Sequence, residues 1–331
     1  MLIFMATMAR QAPATPLTPM SPTGVQPGGH GLFVKLELAW GWFRRGWLRR
    51  IHPGYVRRMA EKRQGHCPDC SHDIIDSRDL KYWRNVCGFS FRPEDDSFRW
   101  RDHLRLARYG LAEVVGMSVL LLPLAIVLAA LAAWSSALLA VPLAVVLGLW
   151  AFLVSFFRDP ERTISPSPDA LLSPADGRIT SVGEVEVPDF PGGRAFRIVI
   201  FLSPFNVHIN RVPRSGRVVG LQYFRGGFCY ARRGDSDRFN EQYWLDLEEP
   251  RGRRVRIKQV SGAVARRIVC WLRLGEEVRA GERFGMIKLG SRTDVLIPLG
   301  EPFEPLVKVG DRVKGGTTVL LRFRSAVSEK N

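Results

Sequence analysis

Ser291 follows Gly290 inside the string KLGSRTDVLIP (residues 288–298), and a serine hydroxyl becomes a nucleophile when a neighbouring base lifts its proton. A glycine ahead of it removes the Cβ that would crowd an attack and admits strained backbone. His208, in SPFNVHINRVP (residues 203–213), is the natural base, with an acidic residue to orient its imidazole. Asp176, in SPADG (residues 173–177), is the acidic candidate. Each residue alone has an ordinary reading: Gly-Ser and Asp-Gly make turns, and a lone strand histidine is usually structural. A second chemical cluster lies in HCPDCSHD (residues 66–73), where Cys67 and Cys70 have the spacing of a zinc knuckle. Cys67, Cys70, Cys87 and His72 are the candidate zinc ligands; the alternative is a reduced, partly buried cysteine pair.

The elements that would position these residues divide the chain in order. Residues 1–31 are rich in Pro, Gly, Thr and Ala without hydrophobic periodicity and are expected to be disordered. Residues 32–105 form a basic, aromatic extension: Trp40, Trp42, Phe43 and Trp47 alternate with Arg44, Arg45, Arg49 and Arg50. That pattern suits a helix at a lipid surface, and also nucleic-acid binding. Between Val114 and Phe157 no residue is charged over 44 positions, whereas one bilayer crossing needs roughly 20 apolar residues. Residues 111–157 are therefore predicted to form a membrane hairpin turning at Trp134, Ser135 and Ser136, either crossing twice or re-entrant with Pro123 and Pro142 breaking the arms. Arginines flank both ends, which places both ends, and the domain that follows, on the cytoplasmic side of a cell membrane.

From residue 158 to 331 the sequence changes to short apolar runs cut by Gly and Pro, the signature of strands. LRLGEEVRAGERFGMI (272–287) and VKVGDRVKGGTTVLL (307–321) form an internal repeat that fits two similar corners of a barrel-like sandwich, as in biotin and lipoyl carriers. The fold class expected is mainly β: a barrel-sandwich-like catalytic domain preceded by an α-helical membrane hairpin. Lys plus Arg outnumber Asp plus Glu by 48 to 32, so the formal charge of +16 favours anionic partners, either nucleic acid or an acidic lipid surface. Five cysteines, an odd number, argue for a reducing compartment and against a disulfide framework.

SPADG, SPFNVHINRVP and KLGSRTD, in that order, resemble the motifs of the phosphatidylserine decarboxylases, and the resemblance covers about residues 155–325. It implies that the chain cuts itself between Gly290 and Ser291 into associated chains 1–290 and 291–331, with Ser291 becoming a pyruvoyl cofactor. It also implies conversion of phosphatidylserine to phosphatidylethanolamine and CO2 through a Schiff base, with Ser291, His208 and Asp176 as catalytic residues. Many members carry a second histidine three residues beyond the first, where this chain has Arg211; the form of its Gly-Ser motif fits the shorter bacterial branch. Arg178, Arg211 and Arg225 are the candidate partners for substrate phosphate or carboxylate. An anionic phospholipid membrane is the implied surface, nucleic acid is disfavoured, and a homo-oligomer is compatible with the pattern. The competing readings are a non-catalytic, membrane-tethered biotinyl-like module, and a zinc-containing nucleic-acid-binding membrane protein.

Overall fold

A computed structural model describes residues 32–68, 72–164, 167–229, 239–262, 267–288 and 290–324. The segment expected to be disordered, 1–31, lies outside them, as does Cys70. Helices α1 (Leu32–Ile51), α2 (Pro53–Lys62), α3 (Leu111–Trp134) and α4 (Ala140–Phe156) come first. Helix α2 opens on a proline, where the missing N–H has no intrahelical partner to lose. Helices α3 and α4 are long and apolar enough to cross a membrane, and Val119, Ile126, Trp134, Val141 and Val145 point outward. Pro123 lies inside α3, and Ser136 opens the turn between the arms by accepting from the Leu138 N–H. One polar contact stitches the arms together: Trp150 Nε1 donates to Ser118 Oγ at 2.9 Å.

The strands are β1 (Ala170–Leu172), β2 (Gly177–Glu186), β3 (Arg194–Leu202), β4 (Ile209–Arg211), β5 (Gly216–Phe224), β6 (Gln242–Glu248) and β7 (Arg254–Ser261). They continue as β8 (Arg267–Cys270), β9 (Glu277–Val278), β10 (Arg283–Lys288), β11 (Ser291–Pro298), β12 (Phe303–Pro305), β13 (Arg312–Val313) and β14 (Val319–Phe323). The large sheet runs β13-β2-β3-β11-β7-β6-β5-β9, with two small sheets, β4-β10-β8 and β1-β14-β12. Every pairing in them is antiparallel. The domain is mainly β and follows an apolar helical hairpin, as the composition predicts.

The sequence repeat is a structural repeat. Gly275 and Gly281 in the first copy, and Gly310 and Gly316 in the second, all take positive φ. The Gly275 N–H bonds the Val218 carbonyl of β5, and the Gly310 N–H bonds the Ile179 carbonyl of β2. The strands that follow, β9 and β13, close opposite edges of the large sheet. The two halves meet where a Cβ on Gly316 would lie 3.6 Å from the Gly281 Cα. Strand β11, buried along nearly its whole length, lies in the middle of the sheet.

The hairpin seats directly on this domain. Tyr109, Val114, Phe156 and Phe157 pack with Val207, Ile209, Val269 and Met286 in one apolar cluster. Gly110 is required there, because a Cβ would fall 1.9 Å from the Phe157 ring.

Candidate active site

Ser291 opens β11, paired with Leu202 of β3 on one side and Ser261 of β7 on the other. Its side chain is fully buried and its Oγ has no hydrogen-bond partner. Leaving a buried hydroxyl unpaired costs about 1–3 kcal/mol, so the site holds a reactive group that packing alone would not select. Gly290 has φ of 67°, left-handed backbone that glycine adopts readily and a side chain would strain. The pair therefore combines left-handed glycine backbone with a buried, unengaged hydroxyl.

His208 sits immediately before β4 and is likewise fully buried. Its Nδ1 lies 2.9 Å from the Asn206 carbonyl, which can only accept, so Nδ1 carries the proton. The bare Nε2 is then an acceptor, and it too is without a partner. Burial, against the Phe156 ring 4.3 Å away, pushes the imidazole down to about 4; the Asn206 carbonyl opposes the shift and Arg158 adds to it. At neutral pH His208 is an uncharged base.

The three sequence motifs meet through a residue that the sequence reading did not single out. Asn210 Nδ2 lies 3.3 Å from Thr293 Oγ1 and 3.4 Å from the Pro174 carbonyl, while Gln259 Nε2 donates to Asn210 Oδ1 at 2.7 Å. Thr293 belongs to KLGSRTD, Pro174 to SPADG and Asn210 to SPFNVHINRVP. Strand alternation puts Ser291 on the face of Thr293, and His208 lies two residues before Asn210, just ahead of β4. That spacing was the available signal for Asn210 and Thr293.

Asp176 does not orient His208. Its Oδ2 accepts from Arg162 Nη2 at 2.8 Å and its Oδ1 from the Gly315 N–H at 2.7 Å. In the other copy of the repeat, Ser215 Oγ accepts from the Ala280 N–H at 2.9 Å, so Asp176 fills a turn-capping position as well. Arg211 is not free to meet substrate either. It is buried where the repeats meet, donating to the Gly281 carbonyl, the Pro160 carbonyl and Asp159 at 3.0, 3.1 and 3.3 Å. A guanidinium committed to three acceptors inside the fold is a structural hub.

The remaining arginines are separated. Arg178 lines a groove beside β3, whereas Arg225 is exposed beyond the end of β5, three strands to the other side of β11. As for zinc, no three His, Cys, Asp or Glu side chains among the described residues group closely enough to hold a metal. Cys67 packs against the cluster of Ile74, Leu80 and Cys87, and the His72 ring lies 4.1 Å from that of Trp83.

A second unpredicted contact ties the site to the hairpin. Lys288, two residues before Gly290, forms an ion pair with Glu113 in the first turn of α3. Burial pushes the Lys288 ammonium below its ordinary value, against the opposing pull of Glu113. Glu113 is the last charge before the uncharged run, which was its only signal in the sequence.

The buried serine after a left-handed glycine and the neutral buried histidine thus belong to a mainly β domain seated on an apolar hairpin. The phosphatidylserine decarboxylase family profile matches residues 149–321. The phosphatidylserine decarboxylase proenzyme of Rhodopirellula baltica is 44% identical over 247 residues, covering 74% of this chain and 99% of the relative. Proenzymes of the same name from Chlorobium luteolum and Symbiobacterium thermophilum are 46% and 47% identical over 189 and 179 residues, covering 57% and 54% of this chain and 86% and 82% of theirs. The chain belongs to the phosphatidylserine decarboxylase family, and is a carboxy-lyase.

Proposed function

We propose that the chain is a self-processing phosphatidylserine decarboxylase whose cofactor comes from Ser291. His208 Nε2 takes the Ser291 hydroxyl proton, and Oγ attacks the Gly290 carbonyl carbon. The Gly290–Ser291 amide bond breaks as an ester forms, and the nitrogen takes a proton. Loss of the Ser291 α-proton and cleavage of its Cβ–Oγ bond release Gly290 as a carboxylate and leave dehydroalanine. Water replaces the nitrogen, expelled as ammonia, and a pyruvoyl group remains. That group supplies the electron sink, conjugated to the substrate α-carbon, that decarboxylation of an amino acid requires and no ordinary side chain offers. The residues present suit its formation, since Ser291 Oγ is buried, unpaired and preceded by a left-handed glycine.

The observation that carries this reading is the pair of buried, unpartnered atoms, Ser291 Oγ and His208 Nε2, each two residues from a member of the Asn210–Thr293 contact. Asp176 supports the site as a turn cap held by Arg162, and Arg178 binds the substrate headgroup. The apolar hairpin, with α1 against it, holds the domain at an anionic bilayer on the cytoplasmic side, where phosphatidylserine meets it by lateral diffusion. Residues 158–331 form the catalytic domain. The test is Ser291→Ala: a single uncut chain without decarboxylase activity is expected, beside two bands on a denaturing gel for the parent. Cleavage or turnover in that variant would overturn the assignment.

A further inference from the structure

Beside β2 and β3 lies a groove of about 500 Å³ whose cationic lining comes from both sides of the cut. Arg178 is contributed by the segment before Gly290, and Arg312 and Lys314 by the segment after it. Arg312 and Arg178 are cross-strand partners of β13 and β2. No acidic side chain pairs with these three cations among the described residues, whereas Asp176, the one carboxylate lining the groove, is occupied by Arg162 and the Gly315 N–H. Three like charges converging on one concavity repel one another, and an anion relieves that cost.

The groove opens on the face of the sheet turned away from the Ser291 side chain, and adjoins the segment that holds His208 at the end of β3 as well as the hairpin. Phe201 and Asn206 line it; Phe201 is paired to Arg178 and to Arg292, next to Ser291, and the Asn206 carbonyl holds His208. At its rim Phe205 is 75% exposed, with its ring 5.8 Å from Phe152 of α4 and its carbonyl accepting from Arg158 at 2.6 Å. An anion there would lie where the apolar hairpin ends, the depth of a lipid headgroup.

We propose that Arg178, Arg312 and Lys314 form the subsite for the phosphodiester of the lipid headgroup, completed only when the two processed segments stay together. The proposal rests on the decarboxylase reading and adds Arg312 and Lys314 to it. In processed enzyme, Arg312→Gln with Lys314→Gln should raise the KM for phosphatidylserine in mixed micelles by about tenfold, with processing and kcat unchanged. The uncut Ser291→Ala protein, titrated calorimetrically with dihexanoyl phosphatidylserine below its micellar concentration, should show a loss of affinity of the same size when both changes are added. That measurement separates a failed subsite from a failed catalytic reading, because it needs no turnover. Unchanged KM and unchanged affinity would overturn the subsite. So would a loss confined to micelles, which would make the cations a surface attraction, or equal competition by inorganic phosphate, which would make the groove a free-phosphate site. Arg312→Lys with Lys314→Arg should restore most of the lost affinity.

Discussion

His208 carries the sharpest chemical expectation because its environment fixes both tautomer and charge. With the imidazole held down to about 4 by burial, the neutral form needed to accept the serine proton persists through the neutral range. Processing should therefore be flat with pH around neutrality and fall only as pH approaches about 4. A decline centred near the ordinary histidine value would show that His208 is solvated during cleavage. The same depressed pKa means that the unfolded chain takes up a proton as pH drops below the ordinary value while the fold resists it, so stability falls between those limits and is fully present above them. His208→Ala should accumulate uncut precursor; normal cleavage would move the role of base to another group. Arg211→Ala should be a stability variant, costing about 1–3 kcal/mol because the Gly281 and Pro160 carbonyls lose their donor while Asp159 keeps Arg283, read as a lowered denaturant midpoint. The sequence pointed to Ser291, Gly290 and His208 through three motifs in order, since each residue alone reads as a turn former or a structural histidine. The partners that hold Asp176 and Arg211 were not legible, because whether a charged side chain faces solvent, substrate or another strand's carbonyl depends on long-range packing that no local string records.

Helix α1 presents Leu32, Leu36, Trp40, Phe43, Trp47 and Ile51 on one outward stripe, spaced at three and four residues, while Val34, Arg44 and Leu48 face inward. Arg44 is locked by Asp76 and Asp79, so the inner face is fixed and the apolar stripe remains exposed. Phe33 rests against Gly116 of α3, which makes the stripe continuous with the hairpin's apolar surface. We expect deletion of residues 111–157 to weaken sedimentation with anionic vesicles without abolishing it at low salt. Replacing Trp40, Phe43 and Trp47 by Ser in that deletion should remove the remainder, and retention of binding would show that the arginines alone suffice. The hairpin was legible from 44 uncharged positions, and the surface helix from its mixture of rings and arginines. The Glu113–Lys288 pair was not, since it joins elements 175 residues apart. Glu113→Gln should slow cleavage by leaving Lys288 buried beside a neutral partner, and Glu113→Asp should recover part of the rate.

A cut before Ser291 would free the start of a strand from the middle of the sheet, and the architecture explains why the pieces should stay together. Strand β11 is paired to β3 from Ser291 to Pro298 and to β7 from Ser291 to Leu296, β13 to β2, and β14 to β1. The repeat read from the sequence foretold the two matching corners, but not that the second helps hold the segment after Gly290 to the rest of the fold. Processed protein should therefore run as one species on native gels and separate only in denaturant. The most direct test of the whole proposal is the intact mass of purified, active protein after denaturation. Two chains are expected, residues 1–290 ending in a free carboxylate and residues 291–331 lighter by one ammonia than a serine-started chain, with a ketone that reacts with hydroxylamine. Active material consisting of the uncut 331-residue chain, or a second chain beginning with an intact serine amine, would contradict it.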